Sequence, residues 1–306
     1  MVRWDTDDRP ATLYTRAYVR GMWLARDKQA FEGEEQTLRI ARARQRSGDA
    51  VPTRWTRMRC RLSTERVSGM TVWTARPRSG AVRARVLYLH GGGYIHPLTP
   101  DYWRLVRALT GAGIEVVLPA YPLAPDATLA GVLPRLLDVE GHATDRAQLP
   151  TVVMGDSAGG ALSIVVARHL RDRAGAPLAG VVALSPWLDA TLDEAAVRDL
   201  EPSDPMLAES GLRAAGRWWS GLRDPSDPDV SPMRADLRGL PPIDLFIGCH
   251  DILRPAVDAF ADRARHDEAD LHVHETPAMF HVWMTRAIPE GRRTRRDITR
   301  LVLERT

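Results

Sequence analysis

The chain has 306 residues, 44% of them hydrophobic, and a formal net charge of +3 at pH 7. That length supports one large α/β domain with insertions or two small domains, with ample material for a buried core. The positive charge is almost all arginine, Lys28 being the sole lysine, and it is spread along the chain. The densest cluster, Arg292, Arg293, Arg295 and Arg296, reads as the solvated face of a terminal helix, and no nucleic-acid motif accompanies it. Two cysteines, Cys60 and Cys249, form neither a disulfide framework nor a Cys-x-x-Cys metal pattern. The first residues lack the apolar core of a signal peptide, and no uncharged apolar run reaches transmembrane length. The expectation is a soluble cytoplasmic protein with no nucleic-acid partner, no stable membrane insertion and no metal.

Residues 1 to about 50 read as helical, with Leu13, Ala17, Tyr18, Met22 and Leu24 near helical spacing. Trp4, Tyr14 and Trp23 read as padding of these helices against the core. From Arg54 to Arg76 the pattern alternates, which predicts two antiparallel strands around Ser68-Gly69. Val86 to Leu89 is a continuous apolar run suited to a strand buried on both faces. It leads into His90-Gly91-Gly92-Gly93-Tyr94. Three consecutive glycines cost entropy to order, and a loop that presents backbone amides to a ligand explains them.

Asp101 to Thr110 reads as a helix, Val116 to Leu118 as a strand, and Leu129 to Glu140 as a helix that starts or kinks at Pro134. Thr151 to Met154 is the next strand and Ala161 to Leu170 a helix. Gly180 to Leu184 is a further strand. Residues 190 to about 225 are charged, carry Pro202 and Pro205, and contain a helical piece from Leu207 to Trp219, as an insertion would. Strands follow at Ile243 to Ile247 and Leu271 to His274, then a loop from Pro277 to His281 and a helix from about Arg293 to Glu304. Strands alternating with helices after residue 85 predict a mostly parallel sheet covered on both faces, with the chemistry beyond the strand C-termini.

Gly155-Asp156-Ser157-Ala158-Gly159 lies between a strand and a helix, the setting of a nucleophile elbow. The sharp turn needs neighbours without bulky Cβ substituents. Ser157 then stands exposed at the end of the sheet, and the Ala158 amide faces a developing oxyanion. A serine hydroxyl needs a base, and the base needs an acid to fix its tautomer. Beyond the candidate acid the histidines are His266, His272, His274 and His281. His266 lies in a charged helix and His272 and His274 within a strand, so His281, in the loop after the last strand, is the best base. Asp251, directly after a strand, is the best acid. Asp244 lies at the wrong end of that strand, Asp258 and Asp262 in the next helix, and Glu275 is the fallback. Asp156 reads as a turn residue pointing away from the base.

His90-Gly-Gly-Gly, Tyr121-Pro-Leu-Ala-Pro, Gly155-Asp-Ser-Ala-Gly-Gly, Ser185-Pro-Trp-Leu-Asp and Ser231-Pro-Met-Arg-Ala-Asp occur in that order. Over about residues 85 to 285 they resemble the hormone-sensitive-lipase-like family of α/β-hydrolases, in its bacterial esterase branch with a GDSAG elbow. The resemblance implies a single α/β-hydrolase domain across residues 1–306. Its helical cap would come from residues 1–50 and the insertion at 190–225. It implies a serine carboxylesterase with Ser157 as nucleophile, His281 as base and Asp251 as orienting acid. The oxyanion donors would be the amides of Gly92, Gly93 and Ala158. Tyr94, Tyr121, Trp187 and Trp283 would lie near the pocket. The substrate would be a small-molecule ester, no cofactor is required, and a homodimer through the sheet edge is compatible with it. Ile252 to Val257 after the acid, Val282-Trp283 after the base and Ala120-Tyr121-Pro122 depart from the family's usual residues. Bulky Trp283 and the Trp218-Trp219 pair point to short acyl chains. An amidase or deacetylase on the same triad, or a non-catalytic receptor on the same fold, are the alternatives.

Overall fold

A computed structural model describes residues 1–173 and 177–306. Among these residues nine strands form one sheet: β1 (Val2–Thr6), β2 (Cys60–Val67), β3 (Met70–Pro77), β4 (Ala84–Leu89), β5 (Ile114–Ala120), β6 (Thr151–Asp156), β7 (Gly180–Leu184), β8 (Ile243–His250) and β9 (Leu271–Phe280). Their order is β1-β9-β8-β7-β6-β4-β5-β3-β2. β2 and β3 pair antiparallel and β3 joins β5 antiparallel; every other pairing is parallel. Among the described residues ten α-helices accompany them: α1 (Leu13–Ala25), α2 (Glu34–Ser47), α3 (Arg54–Arg59), α4 (Tyr102–Gly111), α5 (Leu129–Arg146), α6 (Ala158–Asp172), α7 (Ala195–Leu200), α8 (Glu209–Ser220), α9 (Pro255–His266) and α10 (Pro289–Arg305).

Residues 86–89 of β4, 152–154 of β6 and 181–184 of β7 are apolar at every position because both faces of the sheet are covered. Leu87, Leu89 and Val153 pack with residues of α5 and α6, whereas Val86, Tyr88, Val152 and Met154 pack with those of α4 and α10. Each such buried side chain contributes about 1.5–3 kcal/mol by leaving water. A third cluster joins β7 and β8 to α9 through Val181, Leu245, Val257 and Phe260. This scaffold leaves the C-terminal ends of β4, β6, β8 and β9 together at one rim.

Three expectations need correction and one open alternative narrows. Residues 2–6 are not helical but form β1, parallel to β9 in the register Val2↔Leu271 to Thr6↔Glu275. Val2 and Trp4 alternate with charged neighbours, so this short edge strand shows period two. Residues 54–59 are not strand but α3, because the Thr53 hydroxyl caps the Thr56 amide at 3.3 Å. Helix α5 begins at Leu129, and Pro134 is inside it. Finally, β9 continues through the region read as a loop. After Gly248↔Thr276 the register shifts, and pairing resumes at His250↔Phe280. Pro277 falls in that irregularity, where a missing N–H does not break the ladder.

The first helices and the insertion pack on each other over this rim. Gly211 of α8 lies so close to the Phe31 carbonyl that a Cβ would overlap it. Arg217 of α8 pairs with Glu34 of α2 at 2.6 Å, and the Lys28 ammonium donates to the Glu201 carbonyl at 2.5 Å.

Candidate active site

Ser157 sits between β6 and α6 with φ 53° and ψ −122°, a conformation that costs a non-glycine residue about 1–3 kcal/mol. Two neighbours make that turn possible only as glycines. A Cβ on Gly159 would overlap the Leu89 carbonyl, and one on Gly155 would overlap the Gly159 carbonyl. The Ser157 amide donates to Leu184 O at 2.8 Å and the Ser157 carbonyl accepts from Trp187 at 3.0 Å, which pins the turn to the loop after β7.

Gly92 (φ 100°), Gly93 (φ 61°) and Tyr94 (φ 62°) carry the loop after β4 through three successive left-handed residues. Ile95 and His96 donate to the Gly92 carbonyl at 3.1 and 2.9 Å. Among the described residues, the amides of Gly92, Gly93 and Ala158 donate to no protein acceptor. Asp156 explains how this loop and the elbow stay together. It is fully buried and accepts from Tyr88 Oη at 2.8 Å, Tyr102 Oη at 3.1 Å and the Gly91 amide at 2.9 Å. Burial pushes its pKa up, against these hydrogen bonds. Asp156 thus points away from Ser157, and its role as a clamp has no signature in the local sequence.

His281 and Asp251 meet as the chain order requires. His281 Nδ1 lies 2.8 Å from Asp251 Oδ2, with both side chains buried. Asp251 Oδ1 also accepts from the Leu253 amide at 3.0 Å, which fixes the carboxylate. Burial disfavours the imidazolium, but Asp251, Asp204 and Asp156 outweigh it and hold the His281 pKa above its usual value. The segment that carries His281 is tied to the elbow side by Ser185, whose Oγ accepts from the Val282 amide at 3.1 Å. Val282 is left-handed at φ 48°, unusual for a β-branched residue.

Other candidates fall elsewhere. Glu275 is held by Arg254 at 2.5 Å and accepts from the Trp4 indole at 3.2 Å, away from His281. Asp258 and Asp262 pair with Arg254 and Arg265. His272 and His274 hydrogen-bond Asp5 and Asp244 near the N-terminal end of β8. Tyr94 is buried, stacked at 4.3 Å on Trp219 of α8 and at 5.6 Å on Trp187. Tyr121 is a support: its hydroxyl donates to the His90 carbonyl at 2.5 Å and its ring stacks on His90 at 4.2 Å. Trp283 is not a pocket residue. It is buried in the cluster with Met284 and Ile298, and its indole donates to Thr294 of α10 at 3.0 Å. Its size fills the gap between sheet and terminal helix, so it sets no limit on an acyl chain.

Asp204 is the residue that sequence reasoning missed. It comes from the insertion and is fully buried. Its Oδ1 accepts from the amides of Met206 and Leu207 at 2.7 and 2.9 Å, and its Oδ2 from the Ile252 amide, next to Asp251, at 3.0 Å. Burial, and then the Asp251 charge, push its pKa up to about 6. The Asp204-Pro205 dipeptide was the available signal, but its partner is 48 residues away. Beside the glycine loop after β4 a cavity of about 690 Å³ opens among Phe31, Arg44, His96, Met206 and Arg286, a size suited to a small molecule. Among the described residues, no helix is long and apolar enough to cross a membrane.

The chain is similar to an acetyl-hydrolase of Streptomyces hygroscopicus, 32% identical over 218 residues, which span 68% of this chain and 71% of that protein. It is also similar to an esterase of Acinetobacter venetianus, 27% identical over 70% of this chain and 72% of the other. The fold matches the crystal structure of an esterase from the bacterial hormone-sensitive lipase family with a TM-score of 0.83, at 23% identity and with 96% and 99% of the two chains covered. It matches EstE5, crystallised and soaked with p-nitrophenyl butyrate, with a TM-score of 0.84 at 24% identity, again over 96% and 99%. Residues 86–285 match the family described by the α/β-hydrolase fold. That stretch holds the glycine loop, the elbow, the aspartate and the histidine, and the chain therefore belongs to the α/β-hydrolase family.

Proposed function

We propose that this protein is a serine carboxylesterase acting on small or short-chain acyl esters through a covalent acyl-enzyme. The observation that carries the reading is the buried 2.8 Å hydrogen bond between His281 and Asp251, on loops that border the strained Ser157 turn. In this reading Ser157 Oγ attacks the ester carbonyl and His281 Nε2 takes its proton. Asp251 keeps the Nδ1 proton in place and stabilises the imidazolium. The amides of Gly92, Gly93 and Ala158 hold the oxyanion, a contribution of about 3–4 kcal/mol per donor in comparable sites. The tetrahedral intermediate collapses, the C–O bond to the alcohol breaks, and His281 returns its proton to that alcohol. Water then attacks the acyl-enzyme with His281 again as base, releasing the acid and restoring Ser157. No cofactor enters the sequence.

The Streptomyces relative is named an acetyl-hydrolase, which supports a small acyl group here. The Tyr94–Trp219 stack supports the same choice, because it walls the rim beside the oxyanion loop with aromatic rings. The N-terminal helices and the insertion form the cap of this one-domain enzyme. The test is hydrolysis of p-nitrophenyl esters from acetate to palmitate by the wild type and by Ser157→Ala. Turnover that is highest on short chains and lost in the variant is expected. Equal turnover by the variant, or none by the wild type, refutes the reading.

A further inference from the structure

We infer that the outward face of α1 docks on an anionic lipid surface. Leu13, Ala17, Gly21 and Leu24 recur at helical spacing, so they form one stripe along the helix. That stripe is exposed. Leu13 is 81% and Leu24 is 85% accessible, with Tyr14 at 58% and Trp23 at 42% on its flanks. Single exposed apolar residues are ordinary, but four large ones on one 13-residue helix form a patch that calls for a partner. The opposite face, with Thr15 and Met22, is already buried against the protein.

The charges indicate what that partner is. Between Pro10 and Arg26 the chain has three arginines, Arg16, Arg20 and Arg26, and no acidic residue. Among the described residues, Arg20 and Arg26 have no ion pair, and Arg16 reaches only the Ala11 carbonyl. An apolar stripe with tyrosine and tryptophan at its margins and arginines alongside suits the headgroup region of an anionic bilayer. A protein partner of ordinary composition has no need of this one-signed charge.

The position gives the docking a use. Beneath α1 lies a cavity of about 500 Å³ lined by Val19, Trp23, Pro205, His250 and Phe280. His250 precedes the candidate acid and Phe280 precedes the candidate base. A lipid-borne ester drawn from the surface along α1 would enter next to the site. This use rests on the esterase reading, whereas the docking itself does not.

The experiment is co-sedimentation of the full chain with vesicles of phosphatidylcholine alone and of phosphatidylcholine mixed with phosphatidylglycerol. It is repeated with the double variant Leu13→Asp/Leu24→Asp. The wild type should pellet with the mixed vesicles, lose that binding as salt is raised, and stay in solution with phosphatidylcholine alone. The double variant should bind at least tenfold more weakly yet hydrolyse a soluble p-nitrophenyl ester at the wild-type rate, since both leucines are exposed. Failure to pellet with either vesicle, or equal binding by the variant, overturns the inference. A wild-type dimer that the double variant converts to monomer also overturns it, by assigning the stripe to a second copy. An inactive wild type that still binds vesicles would instead count against the esterase reading alone.

Discussion

Replacing Asp204 by asparagine should move the acid limb of the pH–rate profile to lower pH. In the proposed mechanism His281 is a base that is active when neutral, so kcat/KM should fall as pH drops through the His281 pKa. Asp251, Asp204 and Asp156 are the charges that raise that pKa against burial. A carboxylate within about 6 Å of a histidine raises its pKa by ~1–3 units. Asp204 stands behind Asp251 in this effect, as the smaller of the two contributions to the raised His281 pKa. The low end therefore applies, a shift of about 1 unit, equivalent to ~1.4 kcal/mol of lost preference for the imidazolium. Asparagine keeps one acceptor but places an amide NH₂ where Asp204 now accepts from Ile252 or from Met206 and Leu207, so a stability loss of about 1–3 kcal/mol accompanies it. Asp204→Glu, which keeps the charge, separates the two effects. The assay is kcat/KM for p-nitrophenyl acetate across pH, with Tm recorded for each variant. A downward shift in the asparagine variant and a retained limb in the glutamate variant are expected. An unchanged limb in a folded asparagine variant would refute the electrostatic argument, leaving Asp204 as a loop brace only.

In the wild type the acid limb should lie above pH 6.5, because the His281 pKa is raised, and a limb below that value would contradict the geometry. Asp251→Asn should reduce kcat by about 10⁴-fold with little change in Tm, since the imidazole loses the partner that fixes its tautomer. Gly159→Ala should cost more than about 3 kcal/mol and appear as insoluble protein or a sharply lowered Tm, because a methyl group has to share space with the Leu89 backbone carbonyl. Ser185→Ala should lower kcat while leaving the circular dichroism spectrum intact, as the Val282 amide loses its acceptor and the His281 segment loosens. Thiol reagents should leave activity unchanged near neutral pH: burial and Glu275 push the Cys249 thiol up to about 11, and Cys60 is buried against Thr110.

The parallel core was legible because its strands are buried on both faces, so the middles of β4 and β6 and the whole of β7 read as unbroken apolar runs. The elbow was legible for a different reason: Gly155 and Gly159 are demanded by backbone contact, and a demand of that kind leaves little freedom of residue type. Asp251 and His281 followed from their places at strand ends. What escaped depended on distant partners. β1 is five residues at an edge, and only its pairing with β9 makes it a strand. Thr53 redirected residues 54–59 into a helix although their polarity alternates. The family resemblance put Trp283 near the pocket, yet this side chain, two positions after His281, turns to α10. Asp204 belongs to an insertion whose sequence says nothing of the carboxylate it faces, and Asp156 and Ser185 act through neighbours from other strands.

Tyr94 occupies two positions of responsibility at once. Its left-handed backbone continues the loop of Gly92 and Gly93, while its ring is the middle slab between Trp219 and Trp187. The wall that would bound the substrate and the loop that would stabilise charge are therefore one mechanical part. Trimming Trp219 or Trp187 to admit a larger acyl group removes a support of the catalyst, so gains in scope there come with losses in rate. A redesign aimed at bulkier esters has more freedom at Met206, which lines the adjoining cavity but takes no part in the stack. Selectivity and turnover can be adjusted separately on that side and only together on the other.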